Sequence, residues 1–164
     1  MEEDQLTASE EASDEQPGTQ ISCSGGFADW LRDQNVSFGL TSYQSGRLYL
    51  VGHQPGGVLS FHERHFSRAM GVAATRDRLL LANQYQIWRL ENILAPGQEM
   101  DGFDANYVPR NAQTTGDLDA HDVGVEASGR VIFVNTKYSC LATPSVTHSF
   151  KPIWKPHFIS RLAP

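Results

Sequence analysis

The feature that most constrains the fold is a pair of similar segments, Val72–Asn83 and Gly124–Asn135, which begin 52 positions apart (124 − 72 = 52). Each reads as a short strand, a polar turn, an arginine, four apolar residues and an asparagine. A period near about 50 residues with several strands in each unit is typical of the blades of a β-propeller. The alternative is that two unrelated hairpins resemble each other by chance.

The rest of the chain also reads mainly as short strands. Apolar and polar residues alternate in several short runs, and glycine- or proline-containing turns separate them, which is typical of all-β folds. Before them, Phe27, Trp30 and Leu31 have the spacing of one apolar helix face. The strand runs lie at 36–41, 47–52, 58–62, 70–74, 78–83, 85–90, 123–126 and 130–135, and a further strand is expected at 158–162.

The predicted fold is therefore all-β: an incomplete propeller-like array of antiparallel blades with a short N-terminal helix. Residues 25–164 form this partial domain, and they hold at most three units of the repeat length. Closed propellers have roughly four to eight blades, so the array is not expected to close alone. Either copies associate through exposed sheet edges, a smaller open assembly forms, or the sequence corresponds to part of a longer propeller.

Charge is concentrated in the N-terminal segment. Residues 1–20 hold seven acidic residues and no lysine or arginine, so the net charge of −6 leaves the remaining chain near +1. Residues 1–24 have few large apolar groups and are predicted to form a disordered acidic tail. The near-neutral remainder with scattered basic residues argues against nucleic-acid binding.

No run of about 18 apolar residues is present, and no basic, apolar signal region follows Met1. A membrane partner is therefore not expected. Two cysteines, Cys23 and Cys140, are too few for a disulfide framework. We predict reduced thiols and a cytoplasmic location.

One segment, Thr114–Asp122, could carry chemistry. If it is extended, Asp117, Asp119 and His121 lie on one face and could converge on a divalent cation such as calcium or zinc. Asp122 and Asn135 are further candidate ligands close to this face. The structural alternative is a loop in which the aspartates accept hydrogen bonds from backbone N–H groups.

Several longer motifs run through most of the chain. They are Phe27–Leu31, Asn35–Ser37, Thr41–Leu48, Arg68–Gly71, Tyr107–Arg110, Thr114–Asp122, Phe133–Thr136 and Ser139–Thr143. Together they resemble a family of conserved bacterial proteins of uncharacterised function that often occur with tetratricopeptide-repeat partners or fusions. The resemblance implies a β-propeller of which this chain matches the N-terminal half, and it implies no particular reaction. It adds His148 to the candidate ligand-binding residues, among which Arg110 and Thr115 are also counted.

Two functions follow from these observations, and the sequence leaves open whether the protein is an enzyme. The first is a propeller-like interaction module that binds a protein partner or a second copy through its sheet edges or loop face. The alternative is a metal-dependent hydrolase, similar to propeller lactonases. It would use side chains of Asp117, Asp119, His121, Asp122 and Asn135.

Overall fold

The computed structural model describes residues 20–162, which form three antiparallel sheets and two short helices. In the first third of the chain, helix α1 precedes sheet 1, whose strand order is β1-β2-β3. The turns after β1 and β2 are short, so each strand pairs with the next one along the chain. These elements are α1 (Phe27–Gln34), β1 (Phe38–Ser42), β2 (Arg47–Gln54) and β3 (Val58–His65).

Sheets 2 and 3 each have four strands that also follow chain order. The predicted mostly-β character is therefore confirmed for the described residues. Sheet 2 consists of β4 (Val72–Ala74), β5 (Arg78–Ala82), β6 (Gln86–Asn92) and β7 (Tyr107–Thr114). Sheet 3 consists of β8 (Val123–Val125), β9 (Val131–Asn135), β10 (Cys140–Thr143) and β11 (Lys151–Trp154), after which α2 spans His157–Leu162.

The two similar sequence segments form the first hairpins of sheets 2 and 3. Strands β4 and β5 pair from Val72 opposite Leu81, and β8 and β9 pair from Val123 opposite Phe133. Each segment ends on an asparagine whose side-chain Oδ1 accepts backbone N–H bonds from the following turn. Asn83 accepts from Tyr85 and Gln86, whereas Asn135 accepts from Tyr138. The asparagines close the turns because their short amides replace a backbone acceptor.

Sheet 2 is covered on both faces. Leu80 and Ala82 of β5 pack in a core with Phe133 of sheet 3. Leu79 and Leu81, which point the opposite way along the same strand, pack in a second core with residues of sheet 1 and the connection that follows it. Burial on both faces explains why β5 is a continuous apolar run instead of an alternating one.

The sheets approach one another most closely at their first strands. Strand β4 contacts both β1 and β8, and β5 also contacts β8. Gly71, just before β4, lies so near sheet 3 that a Cβ built on it would be 2.6 Å from the Cα of Asp122. A side chain at this position would force the two sheets apart.

The segment at 158–162 was expected to be a strand, and that expectation is wrong because it belongs to α2. Pro156 stands immediately before the helix, where its fixed φ and missing N–H suit a helix start. The Ile159 N–H donates to the Pro156 carbonyl at 3.1 Å. The local turn therefore prevails over the strand-like composition.

Strand β7 was not among the expected strands. Its sequence contains Pro109, which has no N–H to donate, and it carries several polar residues. The proline is tolerated because β7 is the last strand of sheet 2 and the register with β6 shifts next to it.

The predicted acidic tail, residues 1–24, lies mostly outside the described residues, and residues 20–24 contain no helix or strand. Within residues 20–162, neither helix has the length and apolar character needed to cross a bilayer.

Candidate functional site

Polar side chains from the connections of all three sheets meet at one edge of the structure. The connections are the turn after β1, the 66–71 segment between sheets 1 and 2, the 115–122 segment between sheets 2 and 3, and the turn after β9. We call the group the loop cluster. It consists of Tyr43, Arg68, Asp117, Asp119, His121 and Lys137.

Arg68 lies at the centre of the loop cluster. Its guanidinium contacts Asp119 Oδ1 at 2.9 Å and Asp117 Oδ2 at 3.5 Å. The same group donates a hydrogen bond to the Tyr43 hydroxyl and lies 5.0 Å from the centre of the Tyr43 ring. Arg68 thus holds a turn of sheet 1 against the connection between sheets 2 and 3.

Asp117 has a second cationic partner. Lys137 Nζ, in the turn after β9, lies 3.0 Å from Asp117 Oδ1. This hydrogen bond is the main reason that the pKa of Asp117 is lowered, with further lowering by Arg68 and Gln84 and partial opposition from desolvation. Asp117 is therefore a carboxylate stabilised in its charged form.

The predicted alternation of residues in the 117–121 segment is found, although the segment is not a strand. Leu118 and Ala120 are buried in the core between sheets 2 and 3, whereas Asp117 and Asp119 face Arg68. Asp119 has a φ of 47°, which bends the chain, and its carbonyl accepts the His121 N–H at 2.9 Å. The structure therefore brings both aspartates to one cation.

His121 joins the loop cluster through its ring. The imidazole stacks on Tyr43 with the ring centres 6.4 Å apart and the planes 14° from parallel. Tyr43 in turn lies against Arg68. The histidine therefore extends the aromatic surface beside the arginine, and its backbone position is set by the bend at Asp119.

The carboxylates predicted to bind a divalent cation are paired with basic side chains in this structure. Arg68 contacts both Asp117 and Asp119, so a cation that bridged the same two oxygens would have to displace it. Lys137 takes up the other oxygen of Asp117. No group of three or more histidine, cysteine or acidic side chains suited to a metal is found in residues 20–162.

Three other predicted site residues make local structural contacts. The Thr115 hydroxyl, buried at the end of β7, contacts the carbonyls of Tyr85 and Gly116. Asp122 Oδ1 accepts the N–H of Val123, the next residue. Asn135 is fully buried and closes the turn after β9. These contacts correspond to the structural alternative for the segment.

The remaining predicted site residues, Arg110 and His148, take part in none of the contacts that define the loop cluster. Arg110 is exposed within β7, and His148 is exposed in the connection between β10 and β11, where its Nδ1 contacts the Thr147 hydroxyl at 2.8 Å. Cys140 is buried at the start of β10, and burial raises the pKa of its thiol. A raised pKa disfavours the thiolate needed for nucleophilic chemistry.

Sequence reasoning missed Tyr43, Arg68 and Lys137 as partners of the aspartates. The repeat spacing was a signal that could have pointed to Arg68. Arg68 precedes Asp119 by 51 positions, which is close to the 52-position offset between the two similar segments. The two residues therefore occupy corresponding connections before the first strands of sheets 2 and 3. Tyr43 and Lys137 likewise follow corresponding strands, β1 and β9.

Both ends of the three-sheet array expose apolar side chains. At the sheet 1 end, the rings of Phe27 and Trp30 from α1 stack on each other and on Phe38 of β1, and Leu40 of β1 is 52% exposed. We call this surface the front face. On sheet 3, the side of β8, β9 and β10 opposite sheet 2 forms a groove of about 280 Å³, which we call the rear face. Its apolar lining includes Ile132, Val134 and Leu141.

The comparison that identifies the chain covers these three sheets. A profile described as a domain of unknown function (DUF4915) matches residues 25–164. The chain belongs to the DUF4915 family. No curated protein and no solved structure matches the chain. Membership of DUF4915 agrees with the expected resemblance to a family of uncharacterised function and carries no reaction with it.

Proposed function

We propose that this DUF4915 chain is a protein-interaction module, built as a propeller-like array whose end sheets bind a protein. The observation that carries the proposal is the contrast between sheet 2, covered on both faces, and sheets 1 and 3, each with one apolar face open. Exposed apolar patches of this kind are typical of binding surfaces. The proposed location is the cytoplasm, which the free thiols of Cys23 and Cys140 suit.

Repetition of one packing step supports the propeller-like arrangement. Strands β1, β5 and β9 correspond to one another, because a polar residue stands where each strand gives way to a turn. Strands β1 and β9 end on Ser42 and Asn135, and Asn83 directly follows β5. Strand β1 contacts β4 of the next sheet, and β5 contacts β8 of the sheet after that. Successive sheets are thus related by the same contact, as blades around an axis are.

Sheet edges provide a second kind of binding surface. Sheet 1 has three strands, whereas sheets 2 and 3 have four. Strand β1 corresponds to the second strand of each of the other sheets, so sheet 1 has no counterpart of their first strand. In the described residues, β1 therefore pairs only with β2. An unpaired strand edge can accept an added strand through backbone hydrogen bonds. The expected partner through this edge is an extended protein segment.

The metal-dependent hydrolase receives no support from the site geometry. Its proposed ligands Asp117 and Asp119 are paired with Arg68 and Lys137, and Asp122 and Asn135 accept backbone N–H bonds. The loop cluster instead supports a role in holding the three sheets together. This role leaves the end faces as the surfaces available for a partner.

Site-specific photo-crosslinking tests the interaction proposal. A photoreactive amino acid is placed at Leu40 on the front face, at Ile132 on the rear face, and at the fully exposed Val146 as a control. We expect protein adducts at the two face positions several-fold above the control, in cells that express the chain. Equal, low yields at all three positions would contradict the proposal.

Thermal melting with added calcium, zinc or manganese ions tests the alternative hypothesis that the protein is a metal-dependent hydrolase. A ligand that binds only the folded state raises its stability in proportion to the logarithm of its concentration. We expect no rise with any of the ions. A concentration-dependent rise that Asp119→Asn abolishes would favour the metal site over the present assignment of the cluster.

A further inference from the structure

The first strands of sheets 2 and 3 complete their sheets in the same way. Strand β4 pairs with β5 from Val72 opposite Leu81. Strand β8 pairs with β9 from Val123 opposite Phe133. Both of these first strands are three residues long and begin with valine. The chain therefore contains two copies of a short strand that covers the edge of its neighbour.

Strand β1 has the same register as β9, because the turns that follow them are alike. Each turn has four residues, and its last residue has a positive φ, 59° at Gly46 and 50° at Ser139. Aligning the two turns places Leu40 at the position of Phe133. Leu40 is 52% exposed, whereas Phe133 is 1% exposed. The free edge of β1 beside Leu40 is thus the place where sheet 1 has no counterpart of β4 and β8 in the described residues.

The backbone groups of Gly39 and Thr41 face this free edge. Val134 is the counterpart of Thr41 in β9, and its N–H donates to the carbonyl of Asp122, just before β8, at 3.0 Å. Alternate residues of an antiparallel strand bond to the same neighbour, so Gly39 has the same orientation as Thr41. Since β1 pairs only with β2 within residues 20–162, these groups can bond to an added strand.

The close approach of sheets 2 and 3 determines which residue can precede an added strand. Gly71 precedes β4, and a Cβ built on it would lie 2.6 Å from the Cα of Asp122, its counterpart before β8. Strand β1 contacts β4 as β5 contacts β8, so a strand added to β1 brings its own counterpart of these residues against Gly71. A Cβ there would meet the Gly71 backbone. The residue before the added strand therefore has to be glycine.

The packing of β4 indicates the next two residues. Val72 packs against the core shared with sheet 1, whereas Ala73 packs against the core shared with sheet 3. On β1, the counterpart of Val72 lies opposite Leu40, where an apolar β-branched side chain covers the exposed leucine. The counterpart of Ala73 lies opposite Gly39 and faces sheet 2, where β4 has a small residue.

We propose that the free edge of β1 binds an extended segment of a partner protein that carries glycine, a β-branched apolar residue and a small residue in succession. The inference rests on the proposed interaction function and names the segment that the edge accepts. The segment runs antiparallel to β1 and exchanges backbone hydrogen bonds with Gly39 and Thr41. Residues 71–73, Gly-Val-Ala, are the template within the chain itself.

A synthetic peptide that copies residues 69–76, Ala-Met-Gly-Val-Ala-Ala-Thr-Arg, is the probe. It is titrated into the isotope-labelled full chain, and the backbone amides are followed by NMR. We expect saturable shifts centred on β1 and, at saturation, hydrogen exchange at least tenfold slower at Gly39 and Thr41. No shifts at millimolar peptide, or shifts only outside β1, would overturn the proposal. Slow exchange of both amides before peptide is added would also overturn it, because the edge would then be occupied by the chain itself or by a second copy.

Modified peptides distinguish strand addition from unspecific adhesion. N-methylation at the copy of Ala73 removes the N–H that would donate to the Gly39 carbonyl. Valine in place of the copy of Gly71 adds the Cβ that would meet sheet 2. Each change should weaken binding at least tenfold, whereas lysine in place of the copy of Arg76, outside the paired residues, should leave the affinity unchanged. Equal affinity of all four peptides would contradict backbone pairing in this register.

A change in the protein gives the complementary measurement. Gly39→Pro removes an N–H that points away from β2, so the pairing of β1 with β2 is kept. Gly39→Ala is the matched control, because a Cβ at this position makes only ordinary contacts, 3.9 Å to Leu50 and 4.0 Å to Val72. The alanine variant should bind the peptide and the proline variant should not, with cooperative melting as the check on folding. If the proline variant does not melt cooperatively, the N-methylated peptide decides.

Failure of this inference can be told apart from failure of the proposed function. Photo-adducts with a protein at Ile132, together with no peptide binding at β1, would overturn the edge site and leave the interaction module standing. Peptide binding at β1 without adducts at either face would instead support the edge as the binding surface.

Discussion

At the scale of single residues, Arg68 is the clearest case of a side chain whose role depends on distant parts of the sequence. It contacts Tyr43, which is 25 positions earlier, and Asp119, which is 51 positions later. Its φ of 50° places the backbone in a conformation that is uncommon for a residue with a side chain. The surrounding contacts of the loop cluster compensate for that conformation.

Replacement of Arg68 by leucine should lower the melting temperature of the protein. The change leaves Asp117 and Asp119 without their shared cation and removes the contact with Tyr43. Arg130→Leu is the control, since Arg130 pairs with Glu126 within one hairpin. Differential scanning calorimetry should show a decrease several times larger for Arg68→Leu. Equal decreases would mean that the cluster contributes no more than a local surface pair.

Ionisation of the Asp117 carboxyl group should make the folded protein less stable as the pH falls. Its pKa is lowered in the folded protein, mainly by Lys137, so the charged form stabilises the fold fully above the unfolded pKa of about 3.9. That contribution is lost as the pH falls below this value through the lowered folded pKa. In urea titrations, wild type should exceed Asp117→Asn in stability above about pH 5, and the difference should shrink towards pH 3. A difference that grows on acidification would contradict the assignment.

At the scale of elements, the hairpins were the part of the fold that the sequence predicted best. The runs after Arg78 and Arg130 contain four apolar residues and end on asparagine, and each forms the second strand of a hairpin. Local pattern is sufficient there because the strand, its turn and its partner are adjacent in the chain. Strand β7 and helix α2 were not predicted, because Pro109 is tolerated only at a sheet edge and α2 depends on a local turn at Pro156.

The candidate site was predicted less completely than the hairpins. The alternation that places Asp117 and Asp119 on one side is a local property and could be read from the sequence. Their partners could not, because Arg68 and Lys137 reach them only after three sheets have packed. Two carboxylates with no known cation suggest a metal, whereas the folded chain supplies a guanidinium and an ammonium group.

Gly71 gives a test of how closely sheets 2 and 3 approach. A Cβ at this position would be 2.6 Å from the Cα of Asp122, so Gly71→Ala should shift the backbone and reduce the free energy of unfolding by about 1–3 kcal/mol. Gly124→Ala is the control, because nothing lies within 4 Å of its Cβ position. Chemical denaturation measures the free energy of unfolding of both variants. An unaffected Gly71→Ala variant would mean that the sheets lie farther apart.

At the scale of the whole molecule, two separate hydrophobic cores hold the three sheets together. Leu80 and Leu81 are adjacent in β5, yet Leu80 packs towards sheet 3 and Leu81 towards sheet 1. Each is about 2% exposed or less. Sheet 2 is therefore the element through which the outer sheets are connected.

Leu80→Ala and Leu81→Ala should each reduce the free energy of unfolding by about 2–5 kcal/mol, because each leaves a cavity in a different core. Since the cavities share no partners, the double variant should lose close to the sum of the two values despite the adjacency of the residues. Urea denaturation followed by tryptophan fluorescence measures all three variants. A double-variant loss much smaller than the sum would show that the two cores are not independent.

Burial of β5 on both faces also determines how the backbone exchanges hydrogen with solvent. The strand pairs with β4 on one edge and β6 on the other, so opening its amides requires separation from two strands and disruption of both cores. Fraying of either outer sheet does not expose them. In deuterium-exchange mass spectrometry, residues 79–82 should be the last to take up label, at a rate set by global unfolding, so the slowest amides of the chain lie near its middle.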